Sequence, residues 1–364
     1  MNVWFTGGGT GGHLYPGLAI ARALRHARPT VQPYFIGARR GIEREVLPTT
    51  EFPHLLLDLH PLYRPQVWRN WRTLRGAVGA WRALSRAARE RPPALIVGTG
   101  GYAAGLAAAW GWAHGVPVVQ HVGDAIPGLT ARWTARIARA SFLGYPEAAA
   151  ALGATPETCV DTGNPIEPPP QIRPDPAAAR ARWGFPPGAT VVLVFGGSQG
   201  ARALNRVVSA WVERGLPEAV HLIWATGRGQ FDAYAPLARA DVQVVPFLSP
   251  IAEAYAAADL ALVRGGMMGT SELCAWGLPM LIVPLPTAAQ DHQTANARVL
   301  EAAGAARHLP ERTLSVQVLD AAVRDLLADP ARRSAMAAAA RARGRPHAAA
   351  EIADRVGRFL DAPR

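Results

Sequence analysis

The sequence contains no lysine; all 38 Lys+Arg cations are arginines. Cysteine is nearly as scarce. Cys159 and Cys274 are the only two in 364 residues, and neither sits in a C-x-x-C pair. That excludes a disulfide framework and a structural zinc ribbon, and it fits a reducing compartment. Charged residues are only 18 % against 49 % hydrophobic, which excludes a disordered chain. The N-terminus, Met1-Asn2-Val3-Trp4-Phe5-Thr6, lacks the basic and apolar regions of a signal peptide. The longest charge-poor stretch, Leu95 to Gln120, has the length of a membrane span but is mostly Ala and Gly, with His114 and Pro117 inside. It reads as strand, glycine turn, helix and strand. The expectation is a chain that is soluble or peripheral to a membrane.

What is present is positive charge, +11 in formal terms. Arginine attracts nucleic acid, anionic lipid and acidic small molecules alike. An Ala-, Gly- and Pro-rich, arginine-only composition is also what compositional drift produces. The charge by itself selects no partner.

The length predicts two domains. Val3–Thr6, Tyr34–Ile36, Leu95–Val97, Val116–Gln120 and Ala140–Leu143 read as buried strands, each followed by a turn and a helical pattern. The alternation predicts a parallel α/β sheet. The segment 164–176 holds so many prolines that it reads as a stiff linker. The pattern then restarts, with strands at Val191–Phe195, His221–Ala225, Val242–Val245, Leu260–Val263 and Leu281–Val283. The expected organisation is an N-terminal domain over 1–163, a linker, a second domain over 177–340, and a C-terminal helix over 341–364 packing back on the first domain. In such folds ligands bind at the carboxyl ends of the strands, here facing a cleft between the halves.

Three strand-to-helix turns carry the chemistry. The first is Gly7-Gly8-Gly9-Thr10-Gly11-Gly12-His13, after which Pro16 is expected to open a helix, where its missing N–H costs nothing. Glycines let a backbone approach an anion and aim N–H groups at it. Gly7, Gly9 and Gly12 also satisfy G-x-G-x-x-G, a weak signal alone. The next strand ends Ile36-Gly37-Ala38-Arg39-Arg40, without the acidic residue that holds an NAD ribose, so NADP stays open and NAD is disfavoured. His13 stands where a general base is useful; a capping or merely exposed histidine is the plain alternative. The second turn is Gly196-Gly197-Ser198-Gln199-Gly200-Ala201, and the third is Arg264-Gly265-Gly266-Met267-Met268-Gly269-Thr270-Ser271-Glu272. Free N–H groups at a helix start suit a diphosphate. Glu272 is placed to accept from a ribose diol, or simply to complement the helix dipole. The polar run Gln290-Asp291-His292-Gln293-Thr294-Ala295-Asn296 suits sugar hydroxyls, or equally a polar loop with a helix cap. No Asp or His cluster has metal-ligand spacing. Two other functions compete. One is an NADP oxidoreductase, from the glycine loop and Arg39. The other is a nucleic-acid-binding protein, from the charge, although no RNP-type or recognition-helix signature accompanies it.

At residues 64–91, Arg64, Arg69, Arg72, Arg75, Arg82, Arg86, Arg89 and Arg91 face a single acid, Glu90. Val67, Trp71, Leu74, Val78 and Trp81 fall on one helical face. Trp68, Arg69, Trp71, Arg72 and Arg75 are the candidates for contact with an anionic membrane surface; packing of the stripe on the chain's own sheet is the alternative.

Taken together, Gly8–His13, Gly100-Gly101-Tyr102, Ala125–Leu129, Gly163-Asn164-Pro165, Phe195–Ala201 with Leu204-Asn205, Val245-Pro246-Phe247, Ser271-Glu272 and Asp291–Thr294 with Asn296 resemble the MurG family, in order and over the whole chain. The resemblance implies a GT-B fold of two Rossmann-like α/β domains. It implies an inverting, metal-independent transfer of GlcNAc from UDP-GlcNAc, a substrate and not a cofactor, to the C4 hydroxyl of polyprenyl-diphosphate-linked MurNAc-pentapeptide. A related enzyme using another UDP-sugar or lipid acceptor fits the same motifs. The resemblance makes His13 the base, with Tyr102, His121 and Asp124 on the acceptor side. It places Thr10, Gly11 and Gly12 by the phosphates. It assigns the donor to Ser198, Gln199, Gly266, Met267, Met268, Leu248 (to uracil), Glu272 (to ribose), Gln293 and Asn296 (to GlcNAc), and also to Asp124, Asn164, Glu167, Arg264 and Asp291. The implied location is cytoplasmic, on the inner face of the cell membrane, with no nucleic-acid partner. Two positions depart from the family pattern. Asp124 stands where the family has Asn, and Glu167 stands where it usually has Arg. An anion-binding role does not transfer to a Glu.

Overall fold

The computed structural model describes residues 1–59, 70–153, 158–197 and 200–362, with side chains from residue 76 onward in the second stretch. The chain divides into two compact units: Met1–Ile166 with His347–Arg364, and Glu167–Pro346.

The first unit carries one parallel sheet of seven strands: β1 (Asn2–Thr6), β2 (Gln32–Ala38), β3 (His54–Leu57), β4 (Pro93–Gly98), β5 (Val118–Val122), β6 (Ala140–Leu143) and β7 (Cys159–Asp161), in the order β3-β2-β1-β4-β5-β6-β7. The second carries six: β8 (Thr190–Phe195), β9 (Val220–Ala225), β10 (Val242–Val245), β11 (Leu260–Val263), β12 (Met280–Ile282) and β13 (Ala306–His308), ordered β10-β9-β8-β11-β12-β13. Each sheet is wound outward in both directions from its first strand. The turns after β1 and β4 therefore lie side by side, as do those after β8 and β11. These are the topological switch points where doubly wound sheets take their ligands.

The strands are buried on both faces, and their side chains alternate between two cores. In β1, Val3 and Phe5 join Leu14, Leu18 and Leu24 on one side. Trp4 points the other way, against Ile36, Leu84, Ile96 and Trp110. The charge-poor stretch folds as β4, the helix Gly101–Ala113 and β5. That helix is small-sided because it is pressed on the sheet: a Cβ on Gly111 would come 2.5 Å from Ile96 Cδ1. Among the described residues no helix is long and apolar enough to cross a membrane. The second unit is built around Val192, Val194, Trp211, Leu222, Trp224 and Leu262.

The borders differ in detail from the sequence expectation. Residues 164–166 fold with the first unit, and the largely exposed remainder of the proline-rich segment is anchored at Arg173. Arg173 donates to the carbonyls of Ala275 (2.9 Å) and Trp276 (2.8 Å). At the other end, 341–343 complete the helix Pro330–Arg343 of the second unit, because Gly344 lies on the Ala275 backbone, where a Cβ would come 2.9 Å from Ala275 Cα. The helix Ala348–Asp361 belongs to the first unit. Ile352, Ala353 and Val356 enter the core beside Val3 and Phe5, and Arg28 holds Asp361 through two hydrogen bonds of 2.7 and 2.6 Å.

Candidate functional site

In the first unit the glycine turn after β1 interlocks with the one after β4. Gly8 N–H donates to Gly100 O at 3.2 Å, and Thr99 Oγ1 donates to His13 O at 2.6 Å. The fit requires glycine. Gly101 has φ +81°, and a Cβ there would come 2.1 Å from Gly8 O. Gly9 N–H does not face outward as the phosphate-loop reading expects. It donates to Glu43 Oε1 at 2.5 Å. The outward amides are left to Thr10, Gly11 and Gly12, at the start of the helix Gly11–Ala27, where the helix itself supplies no acceptor.

His13 stands in the first turn of that helix. Its Nδ1 lies 3.1 Å from Gly8 O and 3.2 Å from Thr10 Oγ1. A carbonyl can only accept, so Nδ1 carries a proton, and in the neutral imidazole Nε2 then has the lone pair. This is the tautomer a general base needs. Tyr102, in the first turn of the helix Gly101–Ala113, has its ring 3.5 Å from where a Gly9 Cβ would be, so it joins this site. Burial raises the Tyr102 phenol above its ordinary range.

His121 is not at the surface. It is 2 % exposed at the end of β5, and burial pushes its pKa down to about 3, with the nearby His13 adding to the fall and the Asn164 side chain opposing it. It is a neutral core histidine beside the site. Asn164 is buried too and donates to Gly123 O at 3.1 Å, with its amide pressed against Gly144. These contacts tie Asn164 to the turns after β5 and β6. Asp124 lies partly buried one residue beyond Gly123.

Glu43 carried no motif signal. It is fully buried, with Gly8, Gly37 and Gly41 closing around it where any side chain would collide. Burial raises its pKa against the opposing Gly9 N–H. The two glycines just upstream, Gly37 and Gly41, are the signal that could have found it.

In the second unit, Ser198 and Gln199 lie outside the described residues, but the rest of the turn after β8 is fixed. Gly200 has φ +74° and abuts Thr226 O, which also accepts from Asn205 Nδ2 at 2.8 Å. Beside it, Gly266 caps the helix Met267–Trp276, so the Met267 and Met268 N–H groups open that helix without intrahelical acceptors. A cavity of about 360 Å³ is lined by Gly196, Gly200, Ala201, Arg264, Gln293 and Glu311, among others. Arg264 is nearly buried: it donates to Val283 O (3.1 Å) and Pro284 O (3.2 Å) and pairs with Glu311 at 2.5 Å. Gln293 accepts from Leu285 N–H at 2.9 Å through Oε1. Asn296 is fully buried and donates to Gly265 O at 3.0 Å. Its amide nitrogen thus ties the helix His292–Ala302 to the turn after β11. Gln290 and Asp291 are both left-handed, φ +56° and +55°, a strained pair of the kind held at functional turns. Asp291 accepts from Thr294 Oγ1 at 2.6 Å.

Glu272 sits in the second turn of the helix Met267–Trp276, and Tyr255 donates to its Oε2 at 2.6 Å. Burial raises the Glu272 pKa, Tyr255 opposes the rise and Glu167 adds to it. Leu248 follows β10 and is buried, next to an exposed Phe247 whose ring lies 5.2 Å from the Arg228 guanidinium.

Residues 3–143 match the glycosyltransferase family 28 N-terminal domain and residues 191–356 its C-terminal domain. A UDP-N-acetylglucosamine--N-acetylmuramyl-(pentapeptide) pyrophosphoryl-undecaprenol N-acetylglucosamine transferase of Moorella thermoacetica is 38 % identical, with 96 % of each chain covered. The enzyme of the same name from Alkalilimnicola ehrlichii is 39 % identical over 97 % of each chain. The chain belongs to the MurG family. A crystal structure of Acinetobacter baumannii MurG superposes with a TM-score of 0.77 at 27 % identity, covering 98 % of this chain and 99 % of that one. The two-sheet GT-B fold expected from the sequence is therefore shown.

Against the MurG pattern, the structure brings Thr10, Gly11, Gly12, His13 and Tyr102 together in the first unit. In the second it brings Arg264, Gly266, Met267, Met268, Gln293 and Glu272 to the turns after β11 and β12. Of the two departures, Glu167 is close enough to Glu272 to disfavour its charge. Trp68 and Arg69, and the side chains of Trp71, Arg72 and Arg75, lie outside the described residues.

Proposed function

We propose that the chain transfers GlcNAc from UDP-GlcNAc to the C4 hydroxyl of a polyprenyl-diphosphate-linked MurNAc-pentapeptide. Near-full-length similarity to enzymes named for this reaction carries the reading. The His13 tautomer supplies its chemistry. His13 Nε2 takes the acceptor hydroxyl proton, the oxygen attacks C1 of the donor sugar, and the C1–O bond to the β-phosphate breaks with its electron pair leaving on UDP. One displacement inverts C1. The departing charge is met by the Met267 and Met268 amides and the positive end of their helix, so the reading requires no metal or cofactor. Thr10, Gly11 and Gly12 face the phosphates of the acceptor. Glu272 holds the ribose, Leu248 offers its backbone to uracil, and Gln293 keeps its amide nitrogen for the sugar.

The lipid acceptor places the enzyme at the cytoplasmic face of the membrane, as a peripheral protein. Three adjoining helices of the first unit support this: Val78 is 49 % exposed on Asn70–Glu90, Trp112 65 % on Gly101–Ala113, and Trp133 40 % on Leu129–Thr134. Exposed Arg82, Arg86, Arg132 and Arg136 lie on or next to the same helices. Aromatic side chains amid arginine suit an anionic lipid interface. Vesicle sedimentation tests it: Trp112→Ser with Trp133→Ser lowers binding to anionic vesicles, and unchanged, salt-insensitive binding rules the surface out.

The activity test is transfer to a soluble acceptor analogue from a donor panel of UDP-GlcNAc, UDP-GalNAc and UDP-Glc. UDP-GlcNAc turns over fastest, and UDP protects the protein against thermal unfolding where NADPH does not. His13→Ala abolishes transfer and spares UDP binding; retained turnover refutes the base assignment.

A further inference from the structure

We propose that Tyr255 is a positioning residue for nucleotide recognition: its hydroxyl holds one oxygen of the Glu272 carboxylate so that the other is presented to a ribose diol. The inference rests on the UDP-sugar reading and deepens it. Tyr255 lies on the helix Ile251–Ala257 and is 2 % exposed. Its ring centroid lies 6.2 Å from that of Phe195 and 5.7 Å from that of Trp276. Phe195 ends β8 and is itself confined by Gly269, where a Cβ would come 3.1 Å from the ring. A ring clamped on several sides gives its hydroxyl one direction. That direction ends on Glu272 Oε2 at 2.6 Å, the length of a charge-assisted bond.

A packing role alone does not need the hydroxyl. A buried phenol carries the cost of desolvating its O–H unless the partner is made, and phenylalanine would fill the same space. The carboxylate, in turn, needs a holder. It is flexible about its terminal torsion, it is partly buried, and its charged neighbour Glu167 has the same sign. The phenol donates and so leaves Oε1 to accept from a diol. Glu272 lies one turn beyond the helix start after β11, so the Tyr255–Glu272 pair stands near the amides of Met267 and Met268 that would meet the diphosphate. Base, diphosphate and ribose contacts then fall on one short stretch of chain.

The experiment compares UDP with 2′,3′-dideoxy-UDP, by calorimetry, on the wild type, Tyr255→Phe, Glu272→Gln and the double variant. Tyr255→Phe weakens UDP by about 10-fold, the worth of a hydrogen bond to a charged group, and leaves the dideoxy nucleotide within 2-fold. KM for UDP-GlcNAc rises while kcat changes little. In the Glu272→Gln background the phenol's removal costs nothing further. Equal weakening of both nucleotides, additive losses in the double variant, or unchanged UDP affinity each overturn the proposal. Glu272→Asp is the second probe if Tyr255→Phe melts early. It withdraws the carboxylate from the phenol at constant charge, and the same selective loss is expected. A wild type that binds no UDP refutes the function itself, whereas a wild type that binds UDP beside an unaffected Tyr255→Phe refutes only the positioning role.

Discussion

Replacing Gly100 by alanine tests the geometry on which the base assignment depends. Gly100 has φ +105°, and a Cβ built there falls 2.5 Å from Cδ2 and 2.8 Å from Nε2 of His13. Two costs follow. A non-glycine residue at this φ stores on the order of 1–3 kcal/mol. The imidazole must also retreat by about 1 Å to reach ordinary carbon contact, and it cannot do so while Nδ1 keeps Gly8 O and Thr10 Oγ1. Misplacement of a catalytic group by about 1 Å costs roughly 10²-fold in rate. Gly100→Ala therefore lowers kcat with an acceptor analogue by about two orders of magnitude, and UDP affinity, which the proposed function assigns to the second unit, stays unchanged. Gly115→Ala is the control. Its φ is +69°, but nothing lies within 4 Å of its Cβ position, so it loses some stability and keeps its kcat. If the two variants turn over alike, the ring position is not what matters and the base assignment falls.

Three further outcomes follow from burial. Glu43 has a raised pKa, so the folded state favours its protonated form and stability is lost as pH rises from the ordinary carboxylate range through that raised value. Glu43→Gln removes this loss, and its melting temperature relative to wild type improves from pH 5 to pH 8; a constant difference refutes it. His121, with a pKa of about 3 against 6.5 unfolded, contributes stability at neutral pH that disappears as pH falls between those values, on the order of 3–5 kcal/mol. A His121→Asn variant shows a shallower acid limb in urea melts between pH 6.5 and 4, and an identical limb contradicts the assignment. Ile352→Ala opens a cavity in the first unit's core and costs about 2–4 kcal/mol, read as a lower midpoint of the first unit's transition in denaturant.

The central strands were legible because buried parallel strands read as continuous apolar runs. Val3–Thr6 and Val191–Phe195 needed no context. The edge strands β3, β7 and β13 were not legible. Two of them carry no apolar run, and Cys159-Val160-Asp161 or Ala306-Arg307-His308 becomes a strand only when a neighbour supplies the pairing. In the site, glycine turns and His13 were visible because glycine spacing is itself a statement about backbone. The hydrogen bonds of Asn164 to Gly123 O and of Asn296 to Gly265 O were not: an amide that braces a turn and one that reads a sugar look the same in sequence. Glu43 and Tyr255 were missed because each acts through a neighbour, Gly9 N–H or Glu272, that lies far from it along the chain.

The chain passes from the first unit to the second and back again, and the helix Ala348–Asp361 closes the core around Phe5 and Leu14. On the ribosome this reverses the usual sequence of events. All of 167–346 emerges before the first unit has its last helix, so the second unit can fold while the first still exposes the apolar side of the helix Gly11–Ala27. The half that carries His13 matures last. Interrupted synthesis near residue 346 would leave a finished second unit joined to an unfinished and aggregation-prone first unit. A C-terminal fusion at Asp361 would act directly on the Arg28 pair that secures this closing step.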